Sequence, residues 1–180
     1  TEVLGITASD LNASFDIQDL RTREANHNGV NFMIESFTWQ AAPGVYMPAN
    51  IYRPKDNAKK FAVVLTPPGC GEHLGINNEV TSVPGRMTYF ALLGMLSFST
   101  DGFCSNGLIA KNPMNKYSFE VFGKAAGAGY SIVSLENLVW MRAVKMLSER
   151  TDVDTNRLSV TGYSNGAGIS LRLASLVPQI

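Results

Sequence analysis

Residues 158–168, Leu-Ser-Val-Thr-Gly-Tyr-Ser-Asn-Gly-Ala-Gly, constrain the fold more than any other stretch of this chain. Leu158–Gly162 reads as a short buried strand, and Ser164–Val177 as a helix that begins at once after it. A strand can swing into a helix this abruptly only if the two backbones pass close together. Small residues must therefore flank the turn, and Gly162, Gly166, Ala167 and Gly168 do so. A strand–helix unit of this kind belongs in a layered α/β protein.

The preceding chain repeats the alternation. Val30–Trp39 and Val45–Pro54 read as two strands joined by the turn signal Ala41-Ala42-Pro43-Gly44, a hairpin. Pro48 marks the second as an edge or bulged strand. Phe61–Thr66 and Met95–Thr100 are short continuous apolar runs, as expected of strands buried on both faces. Residues 85–94 read as a helix ending at Gly94, and Ser134–Arg150 as the longest helix, capped by Ser134. "TDVDTNR" (151–157) reads as a turn, and residues 103–130 as a long Gly- and Asn-rich loop that could carry a short helix. Residues 1–28 form a polar N-terminal extension that could hold a short helix begun by Ser9 or Asp10. The expected fold is one α/β domain over 1–180. Its sheet is mostly parallel, with an N-terminal antiparallel hairpin and helices on both faces.

Gly162-Tyr163-Ser164-Asn165-Gly166 is a G-x-S-x-G. Between a strand and a helix, that spacing places a serine on a sharp turn, with its hydroxyl forward and a helix N-terminus behind it. The arrangement suits a nucleophile, and Ser164 is the candidate. The competing reading is a Gly-rich turn with a serine N-cap, as in nucleotide-binding units. The glycine patterns of those units do not fit residues 162–168. Oxyanion stabilisation would fall to the Asn165 N–H and to a second N–H in the loop after an earlier strand. "VVLTPPGCGEHLG" (63–75) stands in the right place, and Cys70 is the candidate second donor.

These segments resemble the N-terminal part of an α/β-hydrolase, specifically the acetyl xylan esterase and dienelactone-hydrolase-like group. "PANIYRPKDNAKKFAVVLTPPGCGEHLG", "MLSFSTDG" and "LENLVWMRAVKMLSERTDVDTNRLSVTGYSNGAG" carry the likeness. Where that group usually has His-Gly in the oxyanion loop, this chain has Pro68-Gly69. The resemblance implies a serine esterase acting on a carboxylic ester, with an acetyl ester of a carbohydrate as one candidate substrate. It also implies that the acid and the histidine follow the serine in order.

No Asp, Glu or His follows Ser164, and the only histidines are His27 and His73. The expectation is that this is about the first half of such an enzyme, weak or inactive alone, with the triad acid and base outside it. His73 is a possible substitute base. Asp101, ending a neighbouring strand, is expected to serve turn hydrogen bonding, and Glu72 and Glu136 to be solvated. The strand Leu158–Gly162 would lack its usual neighbour. The fragment would then self-associate through that edge, or belong to a longer or two-chain protein. The alternative function is a non-catalytic binding or oligomerising module that keeps part of the fold.

Composition narrows the partners. Lys+Arg and Asp+Glu balance at 15 each, so no basic stripe suggests nucleic acid. No apolar run approaches the roughly 18 residues a membrane helix needs. Cys70 and Cys104 fit neither a disulfide framework nor a metal motif and read as two thiols. No metal or organic cofactor is implied, and the compartment stays open.

Overall fold

The computed structural model describes residues 5–56, 60–70, 83–103, 123, 125–127 and 129–180. Among them, α1 (Ala8–Asn12) precedes three strands, β1 (Gln18–His27), β2 (Val30–Ala42) and β3 (Val45–Pro54). Then come β4 (Phe61–Leu65), α2 (Val83–Leu92), β5 (Leu96–Thr100), α3 (Ile132–Ser148), β6 (Val153–Val160) and α4 (Asn165–Leu176). The six strands form one sheet in the order β1-β2-β3-β5-β4-β6.

The pairings β1–β2, β2–β3 and β3–β5 are antiparallel, while β5–β4 and β4–β6 are parallel. The expected hairpin and a parallel region are both present, but three of the five pairings are antiparallel, so the sheet is mixed and not mostly parallel. The antiparallel part is extended by β1, which falls inside the stretch read from sequence as a polar extension. All but one of its residues are exposed, so it shows no apolar alternation. It is a strand because β2 offers it a ladder, from Gln18↔Thr38 to His27↔Val30.

Helices cover both faces. On one, α2 packs Val83, Met87 and Ala91 against Phe32, Ile34 and Tyr52. There the Ser97 hydroxyl of β5 donates to the Met87 carbonyl at 3.1 Å. On the other, α3 and α4 cover Trp39, Met47, Ile51, Val63, Leu65 and Phe98. Phe98 sits edge-on between Trp39 and Trp140, with ring centroids 5.9 Å away on each side. The strands alternate as a two-sided sheet requires: residues 47, 49 and 51 face α3, and residue 52 faces α2.

Three further expectations need correction. First, β3 lies inside the sheet, not at its edge. Its pairing with β5 begins at Ala49↔Thr100, one residue after Pro48. The Pro48 carbonyl faces β5 and accepts from the Asp101 N–H and the Thr100 hydroxyl. In an antiparallel ladder N–H and C=O of one residue share a side, so the missing N–H falls where that pairing stops and the bonds to β2 are spared. Second, α3 begins three residues early. Ser131 is its N-cap and accepts from the Ser134 N–H at 3.0 Å. Third, Cys70 is disulfide-bonded, not a thiol. Cys104, the chain's other cysteine, lies outside the described residues.

Two polar clusters fix the frame. Arg142 of α3 is fully buried, and its hydrogen-bond partners are backbone carbonyls. Its guanidinium donates to the carbonyls of Asp10, Ala13, Ser14, Gln40 and Ala41 at 2.7–3.1 Å and lies 5.0 Å from the Phe15 ring centroid. It thus closes the C-terminal end of α1, where unpaired carbonyls and the helix dipole favour a cation. Below the sheet, Glu35 bridges Arg53 at 2.6 Å and Arg150 at 2.9 Å, and Arg150 also pairs with Asp152 at 2.8 Å. The segment expected to be a turn thereby joins the sheet, since β6 begins at Val153.

Candidate functional site

The carboxyl ends of β5, β4 and β6 lead into Asp101-Gly102, Thr66-Pro67-Pro68-Gly69 and Thr161-Gly162-Tyr163-Ser164. Crevices at the carboxyl ends of parallel strands are where open α/β sheets place ligands. Hydrogen bonds continue the sheet one step into these loops. Thr161 N–H donates to the Leu65 carbonyl and Thr66 N–H to the Phe98 carbonyl, both at 2.9 Å.

Ser164 stands on the turn with φ 54° and ψ −120°, a region that a residue with a Cβ rarely adopts. It immediately precedes α4, yet its side chain makes no capping hydrogen bond. An N-cap serine would have extended φ/ψ and would accept from the first turn. The capping reading therefore fails on both counts. The residue is exposed, and its hydroxyl has no hydrogen-bond partner among the described residues.

The two motif glycines show why the spacing is obligatory. A Cβ on Gly162 would lie 2.3 Å from the carbonyl carbon and oxygen of Gly166. A Cβ on Gly166 would lie 2.2 Å from the Pro67 carbonyl oxygen and 3.0 Å from that of Pro68. Strand, helix and the loop after β4 are thus in backbone contact at one point. The Pro68 ring in turn packs 3.5 Å from the Cβ position of Gly102. Pro67, Pro68 and Gly69 are buried, whereas Cys70 at the end of that segment is exposed.

Asn165, the first residue of α4, is held from behind. Its side-chain amide donates to Glu136 Oε1 at 2.8 Å, and Arg172 donates to Glu136 Oε2 at 3.1 Å. Glu136 was expected to be solvated but is 6% exposed. It projects from α3 into the seam with α4, where burial pushes its carboxyl above the ordinary range. The Asn165 amide and the Arg172 charge act against that rise. Sequence reasoning missed this clamp. The available signal was Glu136 flanked by apolar residues on a helix, with Arg172 one helix away. Asp101 is also buried, at 2% exposure, and its N–H donates to the Pro48 carbonyl of β3 at 3.2 Å.

His27 lies on β1, at the opposite sheet edge from β6. Five interstrand spacings separate them, about 24 Å, so His27 cannot reach Ser164. His73 and Glu72 lie outside the described residues. Among the described residues no group of three His, Cys, Asp or Glu side chains could hold a metal. No helix there is long and apolar enough to cross a membrane.

No family model matches the sequence, and no curated protein is similar enough to match. Solved structures do match. The chain is similar to the acetyl xylan esterase from Paenibacillus sp. R4, with a TM-score of 0.69 at 18% identity, covering 93% of this chain and 52% of that one. It is similar to acetyl xylan esterase 1 from Thermoanaerobacterium sp. JW/SL YS485, with a TM-score of 0.69 at 19% identity over 96% of this chain and 52% of that one. A dienelactone hydrolase-like promiscuous phosphotriesterase from metagenomic libraries gives 0.55 at 14%, over 87% and 54%. The chain therefore carries part of an α/β-hydrolase fold and spans about half the length of the structures it matches.

Proposed function

We propose that this chain contributes the nucleophile and the oxyanion site of a serine-dependent carboxylic ester hydrolase. The conformation of Ser164 carries the reading: a positive-φ serine between a strand and a helix, locked by two backbone contacts and not used as a cap. Strain of this kind costs on the order of 1–3 kcal/mol and is retained where it aims a group. In the proposed reaction Ser164 Oγ attacks an ester carbonyl. The N–H groups of Asn165 and Cys70 hold the developing oxyanion, at the positive end of the α4 dipole. Carbohydrate acetyl esters are the proposed substrate class, since two of the similar folds are named acetyl xylan esterases.

The general base and its orienting acid are proposed to come from outside these 180 residues, on polypeptide that pairs with the open edge of β6. A base must stand within hydrogen-bond reach of the hydroxyl, and His27 does not. His73 remains the in-chain alternative base. The second reading, a binding or oligomerising module, requires Ser164 to be inert.

Intact mass after incubation with a fluorophosphonate tests this on the chain and on Ser164→Ala, with and without added imidazole. The expected result is slow labelling that requires Ser164 and accelerates about tenfold or more when imidazole supplies the missing base. Fast Ser164-dependent labelling without imidazole would place the base within the chain and point to His73. A folded chain whose labelling is indifferent to Ser164 in both conditions would overturn the nucleophile assignment.

A further inference from the structure

A second cleft lies on the α2 face, between that helix and the strands β1–β3. Its volume is about 710 Å³, within the range of small-molecule sites. Among the described residues, none of the Ser164 turn or of the segment after β4 lines it. Phe32 and Ile34 of β2 form its apolar floor, and the exposed ring of Tyr89 on α2 stands at its rim.

Two guanidinium side chains line it, Arg23 and Arg86, with His27 and the neutral Asn26 and Thr88. Arg23 and His27 come from the side of β1 that faces α2, the side shared with Ala25. Among the described residues no carboxylate lines the cleft. Arg23 makes no ion pair or hydrogen bond among the described residues. Tyr52 is 6% exposed, stacks on Phe32 with centroids 5.8 Å apart, and lines the same cleft. Its hydroxyl has no hydrogen-bond partner among the described residues either. That oxygen is not fully buried, so it opens into the cleft where a ligand can reach it. Arg23 is close enough for its charge to favour the ionised form of that phenol, against the larger opposing effect of burial. Arg23, Ile34 and Tyr52 stand in one cross-strand row, so a guanidinium and an accessible phenol hydroxyl flank the apolar floor.

We propose that this cleft binds a small amphipathic carboxylate: an apolar or aromatic body on Phe32 and Ile34, with its anionic head between Arg23 and the Tyr52 hydroxyl. A planar guanidinium matches a carboxylate in two-point geometry. The apolar floor selects a body that a bare anion lacks. The site is independent of the Ser164 reading.

The test is a titration of the 15N-labelled chain with 4-phenylbutyrate and with the neutral 4-phenylbutyramide, on wild type, Arg23→Gln and Tyr52→Phe. Both substitutions keep the side-chain bulk, and Arg23 is exposed on its strand, so the fold should survive. The acid is expected to shift amides of β1, β2 and α2 and to bind at least about tenfold more tightly than the amide. Arg23→Gln should cut that preference at least about threefold, since Arg86 stays in the cleft, and Tyr52→Phe should weaken the acid about threefold to fivefold. Equal binding of acid and amide, or an acid affinity unchanged in Arg23→Gln, would overturn the proposal. So would equal competition by inorganic phosphate, which would show that only charge is read.

Discussion

The Pro67 carbonyl oxygen occupies the place where a Cβ on Gly166 would have to go, 2.2 Å from it. Both partners are backbone, so neither can swing aside as a side chain would. Gly166→Ala should therefore lower the unfolding free energy by about 3 kcal/mol in urea titration. Gly168, two residues on, meets only the far end of the Arg172 side chain, at 3.3 Å. Gly168→Ala should be neutral or stabilising by about 0.5 kcal/mol, from helix propensity. Equal effects at the two positions would refute the contact.

Ser164 pays conformationally for its position. Ser164→Gly should raise stability by about 1 kcal/mol, because glycine accepts φ 54° without strain and returns only part of that gain as unfolded-state entropy. Ser164→Ala keeps the Cβ and should stay within about 0.5 kcal/mol of the parent. Thermal unfolding of the three chains decides it. Fluorophosphonate labelling at this position should vanish in both variants.

Arg142 should be irreplaceable even by lysine. An ammonium group cannot reach carbonyls of Asp10, Ser14 and Ala41 from one stem. Arg142→Lys should cost about 3 kcal/mol. The loss should appear first at α1, as proteolysis near residues 8–15 at denaturant concentrations where the sheet is still intact.

Two carboxylates give the stability profile opposite slopes. Burial acts most strongly on Asp152 and pushes its carboxyl up, but the Arg150 hydrogen bond and charge, with Arg53 behind, carry it below the ordinary value. The native state then binds its proton later than the unfolded chain does. Its contribution is complete above about pH 3.8 and is lost as pH falls through the lower native value. Glu136 is raised, so the native state holds its proton longer, and stability declines as pH rises from 4.5 through the native value. Asp152→Asn should cost about 1 kcal/mol at pH 7 and less at pH 3. Glu136→Gln should flatten the decline above pH 4.5. Urea midpoints across pH 3 to 8 would show either slope.

The legible parts were those whose sequence and burial agree. Val45–Pro54 has the bounds read from sequence, because its turn residues and alternating core positions coincide. The sharp turn at Ser164 was legible because G-x-S-x-G encodes backbone proximity directly, as Gly162 and Gly166 now show. By contrast, β1 gains its structure from β2 and buries almost nothing, so no local pattern marks it. The start of β6 was hidden for the same reason: Asp154–Arg157 are polar and belong to the strand only through their neighbours and the Arg150 cluster. Glu136 was misread because its one sign, apolar residues around it on the helix, points to burial but does not say that an Asn and an Arg from another helix will enclose it. Cys70 was misread because two cysteines far apart in sequence do not show which of them the fold brings to a partner.

Among the described residues, β6 is hydrogen-bonded on one side only, to β4. The strand that delivers Ser164 is therefore the least braced parallel strand in the plane of the sheet. What holds the serine steady across that plane is exclusion: the helix start is wedged under the Pro67 carbonyl and cannot drift toward it. Aim at this site is set by a hard stop and not by a ladder. A change that loosens the wedge would blur where the oxygen points while leaving every strand of the sheet in register.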